Sequence, residues 1–150
     1  MKAFKEKLLE HCKFVLSRKI ELLSFSIDEI SGSMENETKS SLGDKHETSR
    51  ARMQSEQEKL SWQLDELKGQ QELLNKVDLD RSIEIVSNQN LVITDKGIFF
   101  IVIPLGKVEL EGKTVFVISP VSPLGKKLIG LKISEEVRVN ETLYKIKEII

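Results

Sequence analysis

The chain has 150 residues and a formal net charge of −1, with 23 Lys or Arg against 24 Asp or Glu. Affinity for DNA rests mainly on Lys and Arg that neutralise phosphates, so this balance argues against independent binding of duplex DNA and favours a protein partner. Cys12 is the only cysteine, which excludes an internal disulfide and a Cys-based zinc site. No run approaches the roughly 18 apolar residues of a membrane span, so we expect a cytoplasmic protein that does not contact membranes.

Residues 1–78 have the spacing of an antiparallel coiled coil. The first predicted helix runs from about Lys2 to Met34 and the second begins at Asp44, with a Ser- and Gly-rich segment between them in which the chain reverses. Apolar residues recur seven apart in both helices, and antiparallel pairing matches the two runs about a point near position 42. The first run is Leu9, Leu16, Leu23 and Ile30, joined by Ile20, Ile27 and Met34, and the second is Met53, Leu60, Leu67 and Leu74, joined by Leu64.

Three other side chains bear on the register and the contacts of this predicted hairpin. Gln57 and Gln71 fall on the seam, opposite Ile27 and Lys13, where a polar residue costs stability but penalises slipped registers. Trp62 lies off the heptad stripe between two seam residues. Two interpretations of it stay open: it packs against the second domain, or it contacts a partner.

The turn between the helices is followed by two carboxylates. Asp44 and Glu47 have the spacing of a capping box, in which both side chains satisfy free amides at a helix start, and capping alone is the commoner role. Carboxylates three residues apart at a helix start also lie close enough to share one divalent cation that prefers oxygen ligands. Two ligands would hold Mg²⁺ weakly, so a second protein would have to supply the rest. His46 lies between them and is assigned no role.

From Ser82 onward, short runs rich in Ile, Val and Phe predict a small antiparallel sheet of about five strands. The runs are 83–86, 91–94, 97–103, 114–118, 137–139 and 143–146, and the predicted hairpin turns are Asp95-Lys-Gly97 and Glu111-Gly112. One short helix interrupts the strands, because Ser122 suits an N-cap, Pro123 the first helical position and Gly130 the residue after the end. We expect this helix to cover one face of the sheet.

Two segments resemble the Gre-type transcript cleavage factors of bacterial RNA polymerase, and the similar order of parts covers nearly the whole chain. The more specific segment is Ser122-Pro-Leu-Gly-Lys-Lys-Leu-Ile-Gly130, which is similar to the family's Ser-Pro helix and its Leu-Ile-Gly-like turn. The other is Gly43-Asp44-Lys-His-Glu47, which is similar to the family's Gly-Asp-x-x-Glu tip.

The resemblance implies an α+β fold in two domains. An antiparallel coiled coil would occupy residues 1–78, with its tip near 38–47, and an FKBP-like domain with one short helix would occupy 79–150. In the family, the coiled coil enters the secondary channel of RNA polymerase and the second domain docks at the channel mouth.

The resemblance also implies roles for individual residues. Asp44 and Glu47 would help to hold a catalytic Mg²⁺ beside the RNA 3′ end inside the polymerase, and Ser122 and Pro123 would contact the polymerase. The protein would then be a transcription elongation factor that stimulates the polymerase's own nuclease and is not itself an enzyme.

Some residues depart from the family pattern. After the second tip acid the family usually continues with Asn, Ala, Glu and an aromatic residue, whereas this chain has Thr48-Ser-Arg50-Ala51. Val121 stands where the family often has a polar residue before the Ser-Pro pair. Two alternatives therefore stay open: a Gre-like channel regulator without cleavage activity, and a coiled-coil adaptor unrelated to transcription. Intramolecular pairing in one register favours a monomer over such an adaptor.

Overall fold

The structure is a computed structural model that describes residues 1–39, 43–81 and 83–150, without the side chains of 37–39 and 43–46. Two long helices, α1 (Lys2–Lys39) and α2 (Gly43–Asn75), precede six strands and one short helix. The protein is therefore α+β, with a helical hairpin followed by a sheet that carries one short helix, as predicted. The chain divides into two compact units, one formed by Met1–Phe14 with Glu72–Ile150 and the other by Val15–Gln71.

The unit Val15–Gln71, called the hairpin unit below, buries the predicted seam. Leu16 is fully buried and the other apolar seam residues of this unit are half-buried, whereas most residues between them are exposed. Gln57 Nε2 donates a hydrogen bond of 2.6 Å to Ser31 Oγ on the other helix. Ser31 lies one helical turn beyond Ile27, the predicted neighbour of Gln57, on the same face. The heptad pattern thus located the seam correctly.

The first helix is longer than the sequence predicts. It was expected to end near Met34, but α1 continues through Ser31, Gly32 and Ser33 to Lys39. Helix propensity is a weak preference that packing overrides, and half-buried Ile30 and the Gln57 bond at Ser31 hold this turn in place. Residues 40–42, which belong to the segment where the sequence predicts the reversal, lie outside the described part of the chain. Among the described helices, none combines the length and apolar character that crossing a bilayer requires.

The sheet contains six strands in the order β3-β4-β2-β1-β6-β5. Their bounds are β1 Leu91–Thr94, β2 Gly97–Ile101, β3 Gly106–Leu110, β4 Lys113–Ile118, β5 Glu136–Val139 and β6 Thr142–Ile149. The prediction of an antiparallel sheet of about five strands was wrong in two respects. β3 was not predicted, and β2 pairs with β4 in parallel, so that the sheet is mixed. The remaining pairs are antiparallel.

Both predicted hairpin turns are present. Thr94 pairs with Gly97 across the first, and Leu110 pairs with Lys113 across the second. In the second turn Glu111 and Gly112 both have positive φ, at 51° and 75°. Two positive φ values give the twist that a two-residue connection between antiparallel strands needs.

The sheet is covered on one face by the short helix α3 (Pro123–Leu128), as predicted. Leu128 packs there in a cluster with Val86, Val92, Phe99, Ile101 and Ile146. Strand residues that alternate with these are also buried: Leu91, Phe100, Val115 and Val117. The start of α1 and the end of α2 contribute to the core of this unit through buried Phe4, Leu8, Leu9 and Leu74.

Residues 83–86 were predicted as a strand, and this prediction was wrong. Ile85 is 46% exposed, and Val86 alone of the described residues in this segment is buried. Val86 forms two backbone hydrogen bonds with the segment after α3, from its N–H to Leu131 O at 2.9 Å and from Gly130 N–H to its carbonyl at 2.8 Å. The segment therefore anchors the end of α3 and does not extend the sheet.

Candidate functional site

The predicted acidic pair lies at the beginning of α2. This helix starts at Gly43, so Asp44 and Glu47 occupy its first two turns, three residues apart. Side chains at this spacing share one helix face, with Cβ atoms about 5–6 Å apart. The Glu47 side chain is exposed, and that of Asp44 lies outside the described residues, as does the predicted capping box that depends on it. The local structure thus places both positions on one face at the end of the hairpin.

Two acidic residues at this spacing suit a shared metal ion, but they do not form a complete metal site. Carboxylate oxygens are the ligands that Mg²⁺ prefers, and it usually takes few of them from protein while retaining several waters. Within the described part of the chain, no group of three or more His, Cys, Asp or Glu side chains is placed to hold a metal. Two carboxylates by themselves would leave most of the ligands of such an ion to be supplied from elsewhere.

The helix face that carries the pair also carries a cation. Arg50 follows Glu47 by three residues in α2 and is exposed. It lines a cavity of about 240 Å³ between the helices with Ser31, Met34, Glu35 and Gln57. Arg50 therefore introduces a positive charge one helical turn after Glu47.

The second predicted site is the loop before α3, called the Ser-Pro loop below and formed by residues 119–123. Ser122 Oγ donates to Ser119 O at 2.7 Å and accepts from Gly125 N–H at 3.0 Å, so that it caps the helix as predicted. Ser119 Oγ accepts from Val121 N–H at 3.2 Å. These bonds fix the loop backbone and leave Pro123 exposed and Val121 72% exposed. The loop is a rigid, partly apolar protrusion.

Gly125 is required by the close packing of this loop. A Cβ at this position would lie 2.3 Å from Ser119 O and 2.9 Å from Ser122 Oγ. Neither Ser119 nor Gly125 was singled out by sequence reasoning. The signal that could have found Ser119 is the repeated Ser-Pro dipeptide at Ser119-Pro120 and Ser122-Pro123, since a second hydroxyl next to a proline commonly supports a turn.

Two titratable groups in the core are unsuited to catalysis. Burial raises the pKa of the Cys12 thiol to about 12, because desolvation disfavours the thiolate, so this cysteine is not a nucleophile at neutral pH. Burial also lowers the pKa of the Lys5 ammonium, whose Nζ donates to Ile150 O at 3.0 Å. Both side chains are enclosed in the core and have no access to a substrate.

These features define a class: an α+β protein with a helical hairpin, a mixed six-stranded sheet, an acidic pair at the start of the second helix and a rigid Ser-Pro loop. No family model matches the chain, and no curated protein matches its sequence. Among solved structures it is similar to one described as the structure of the transcription factor Gfh1, with 14% identity over 91% of this chain and 92% of that chain and a TM-score of 0.35. This similarity is too low to support any statement about function.

Proposed function

We propose that the protein binds bacterial RNA polymerase in the cytoplasm, inserts its hairpin into the secondary channel and stimulates the cleavage of backtracked RNA by the polymerase. The observation that carries the proposal is the placement of Asp44 and Glu47, three residues apart in the first turns of α2. Positions three residues apart in a helix share one face, which supports a joint role for the two residues at this end of α2. The resemblance of this segment to the Gly-Asp-x-x-Glu tip of the Gre-type factors supports a metal-binding role for those positions.

In this proposal the chain supplies two carboxylates and the polymerase supplies the active site. Mg²⁺ bound between them would provide a water of lowered pKa and neutralise charge on the phosphodiester. Asp44 and Glu47 would orient oxygen ligands towards that ion and hold it close to the RNA 3′ end. The polymerase performs the hydrolysis, so the protein is not itself an enzyme.

The Ser-Pro loop supports a docking role in the same proposal. Its backbone is fixed by the hydrogen bonds of Ser119 and Ser122, so little conformational entropy is lost when it binds. Pro123 and Val121 present exposed apolar surface from this rigid base. The Ser122 hydroxyl is engaged within the loop, and we therefore assign the main partner contacts to Pro123 and Val121.

The test is a cleavage assay on backtracked elongation complexes that carry end-labelled RNA, with Mg²⁺ present. We expect the wild type to accelerate release of the 3′ fragment and the Asp44→Ala, Glu47→Ala double variant to lose the acceleration. The matched control is Glu135→Ala, Glu136→Ala, which removes two adjacent exposed acids from the unit formed by Met1–Phe14 and Glu72–Ile150, called the sheet unit below. A wild type that is no faster than the tip variant would contradict the proposal.

A second candidate function is a channel-binding regulator of RNA polymerase that does not stimulate cleavage. The observation that favours it is Arg50, which shares a helix face with Glu47 and brings positive charge to the acidic pair. In this case the wild type displaces a known channel factor from polymerase but releases no RNA fragment. An Arg50→Ala variant that gains cleavage would show that this cation is the cause.

A further inference from the structure

Among the described side chains of the hairpin unit, three large apolar ones are unusually exposed. Trp62 on α2 is 79% exposed, and Phe25 and Leu22 on α1 are 62% and 61% exposed. Aromatic side chains, tryptophan above all, are enriched among the residues that carry binding energy at protein interfaces. The exposure of Trp62 favours the interpretation in which it contacts a partner.

Phe25 and Trp62 lie on the faces that point away from the seam. Each stands midway between two seam residues four apart, Phe25 between Leu23 and Ile27 and Trp62 between Leu60 and Leu64. At about 100° per residue, a residue two positions from the seam points to the opposite side of its helix. The two aromatic rings therefore lie on opposite outer faces of the hairpin.

The two rings also lie at one level along the hairpin. Ser26 and Ile30 of α1 line a groove together with Leu60 of α2, so these residues are neighbours across the hairpin. Because α2 runs antiparallel to α1, Trp62 comes two residues further from the turn than Leu60 and is level with about residue 26. A partner that contacts both rings at once must surround the hairpin.

The surroundings of both rings are acidic. The neighbours three or four residues away share a helix face with each ring. They comprise six carboxylates, one leucine and one lysine: Glu21, Leu22, Asp28 and Glu29 around Phe25, and Glu58, Lys59, Asp65 and Glu66 around Trp62. All eight are exposed, and of the acids Glu21 has an ion pair with Arg18 at 2.9 Å. The two faces, called the acidic aromatic faces below, therefore attract cations.

We infer that the acidic aromatic faces are the contacts by which the hairpin is held within the polymerase channel, against a protein wall that carries basic side chains. This inference rests on the proposed function and names the chemistry of its partner. Arginine suits both parts of each face, since its guanidinium stacks on an aromatic ring and pairs with carboxylates. A nucleic acid would be repelled by the acids, and a second copy would bring acids against acids.

The test measures affinity for core RNA polymerase of the Phe25→Ala, Trp62→Ala double variant by displacement of a labelled wild-type protein. The matched control is Leu73→Ala, which removes a 52% exposed leucine of α2 whose neighbours Gly69, Gln70, Lys76 and Val77 include no acid. We expect at least a tenfold loss of affinity in the double variant and less than a twofold change in the control. RNA cleavage at limiting protein concentration should fall in parallel with the affinity.

A second pair of substitutions tests the charge. Glu58→Lys with Glu66→Lys should weaken binding at least tenfold and flatten the salt dependence of affinity. Double aromatic or charge variants that bind like the wild type would overturn the inference while the proposed function stands. A wild type that does not bind polymerase overturns both. Dimers of the free protein that dissociate on Trp62→Ala, detected by sedimentation, would assign these faces to self-association and overturn the inference as well.

Discussion

Lys5 is a cationic side chain enclosed in the core of the sheet unit. It is 2% exposed, and its Nζ donates to Ile150 O, which also accepts from Leu91 N–H at 2.8 Å. Removing the ammonium therefore leaves that carbonyl with a partner. Since burial lowers the pKa of Lys5 by penalising the charged form, the aliphatic stem contributes more to stability than the charge does.

We therefore expect Lys5→Met to change the free energy of unfolding by less than about 1 kcal/mol, because the methionine keeps most of the buried volume. Lys5→Ala should lower it by about 2–4 kcal/mol through the cavity that it creates. Urea denaturation followed by circular dichroism measures both. A methionine variant as unstable as the alanine variant would show that the hydrogen bond to Ile150 matters more than the packing.

Asp95 gives a stability contribution that depends on pH. Its Oδ1 accepts a hydrogen bond from Lys145 N–H at 2.8 Å, and this bond, with the Lys96 ammonium nearby, holds the carboxyl pKa below its ordinary value of 3.8. A group whose pKa is lower in the folded state stabilises that state when it is ionised. The contribution is thus complete above the unfolded pKa and is lost as pH falls through the folded pKa.

The corresponding variant is Asp95→Asn, whose side-chain oxygen still accepts from Lys145 N–H but does not titrate. We expect the wild type to lose stability relative to this variant as pH falls below about 4, and the difference between them to be constant from pH 5 to 7. Urea midpoints at pH 7, 5, 4 and 3 measure the difference. Parallel curves down to pH 3 would contradict the assigned cause.

Gly125 and Gly32 differ in the space that is available for a side chain. A Cβ on Gly125 would lie 2.3 Å from a backbone carbonyl of the Ser-Pro loop, whereas Gly32 is exposed within α1 and a Cβ there would meet no atom within 4 Å. Gly125→Ala should lower stability by about 1–3 kcal/mol, because the loop must shift. Gly32→Ala should raise the stability of the hairpin by about 0.5–1 kcal/mol. Thermal unfolding of the two variants checks both signs, and a stable Gly125→Ala protein would mean that the loop is not rigid.

The elements that could be predicted are those whose pattern is local. The hairpin seam follows from heptads, and α3 follows from Ser122, Pro123 and Gly130, whose φ of 95° is the left-handed value that a residue after a helix often adopts. β3 was missed because its sequence, Gly-Lys-Val-Glu-Leu, has one buried side chain, Val108. Its strand structure comes from pairing with β4. The parallel β2–β4 pair was missed for a different reason, since pairing between segments that are distant in the sequence leaves no local signal.

The candidate site was predictable to a similar degree. The spacing of Asp44 and Glu47 and the Ser-Pro dipeptide are visible in the sequence, but which hydroxyl bonds to which backbone group of the loop is known only from the structure. The acidic aromatic faces were predictable only in part. The heptad pattern places Phe25 and Trp62 off the seam, whereas their exposure is known only from the structure. Off-seam position alone does not separate a solvent-facing residue from one that packs on a neighbouring domain.

At the scale of the whole molecule, the sheet unit is assembled from both ends of the hairpin sequence. Met1–Phe14 belongs to the same compact unit as Glu72–Ile150. Phe4, Leu8 and Leu74, all at least 94% buried, lie in those helical ends. Two side-chain contacts join the start of α1 to the region of the β3–β4 turn. Lys7 Nζ forms an ion pair with Glu111 Oε1 at 2.8 Å, and Lys113 Nζ lies 5.1 Å from the centre of the Phe4 ring. The helical ends are therefore part of the core.

Because the helical ends belong to the core of the sheet unit, we predict which shortened chains can fold. A fragment of residues 79–150 lacks the helical ends and should unfold without a cooperative transition, because a sheet face that is buried in the intact unit becomes exposed. Residues 1–14 joined to 72–150 by a short Gly-Ser linker keep those ends and should show a single urea transition, with near-wild-type chemical shifts for Phe100 and Val117. If the 79–150 fragment folds cooperatively by itself, the helical ends are accessory to the sheet core. If the joined chain fails to fold, the core also needs residues of the hairpin unit.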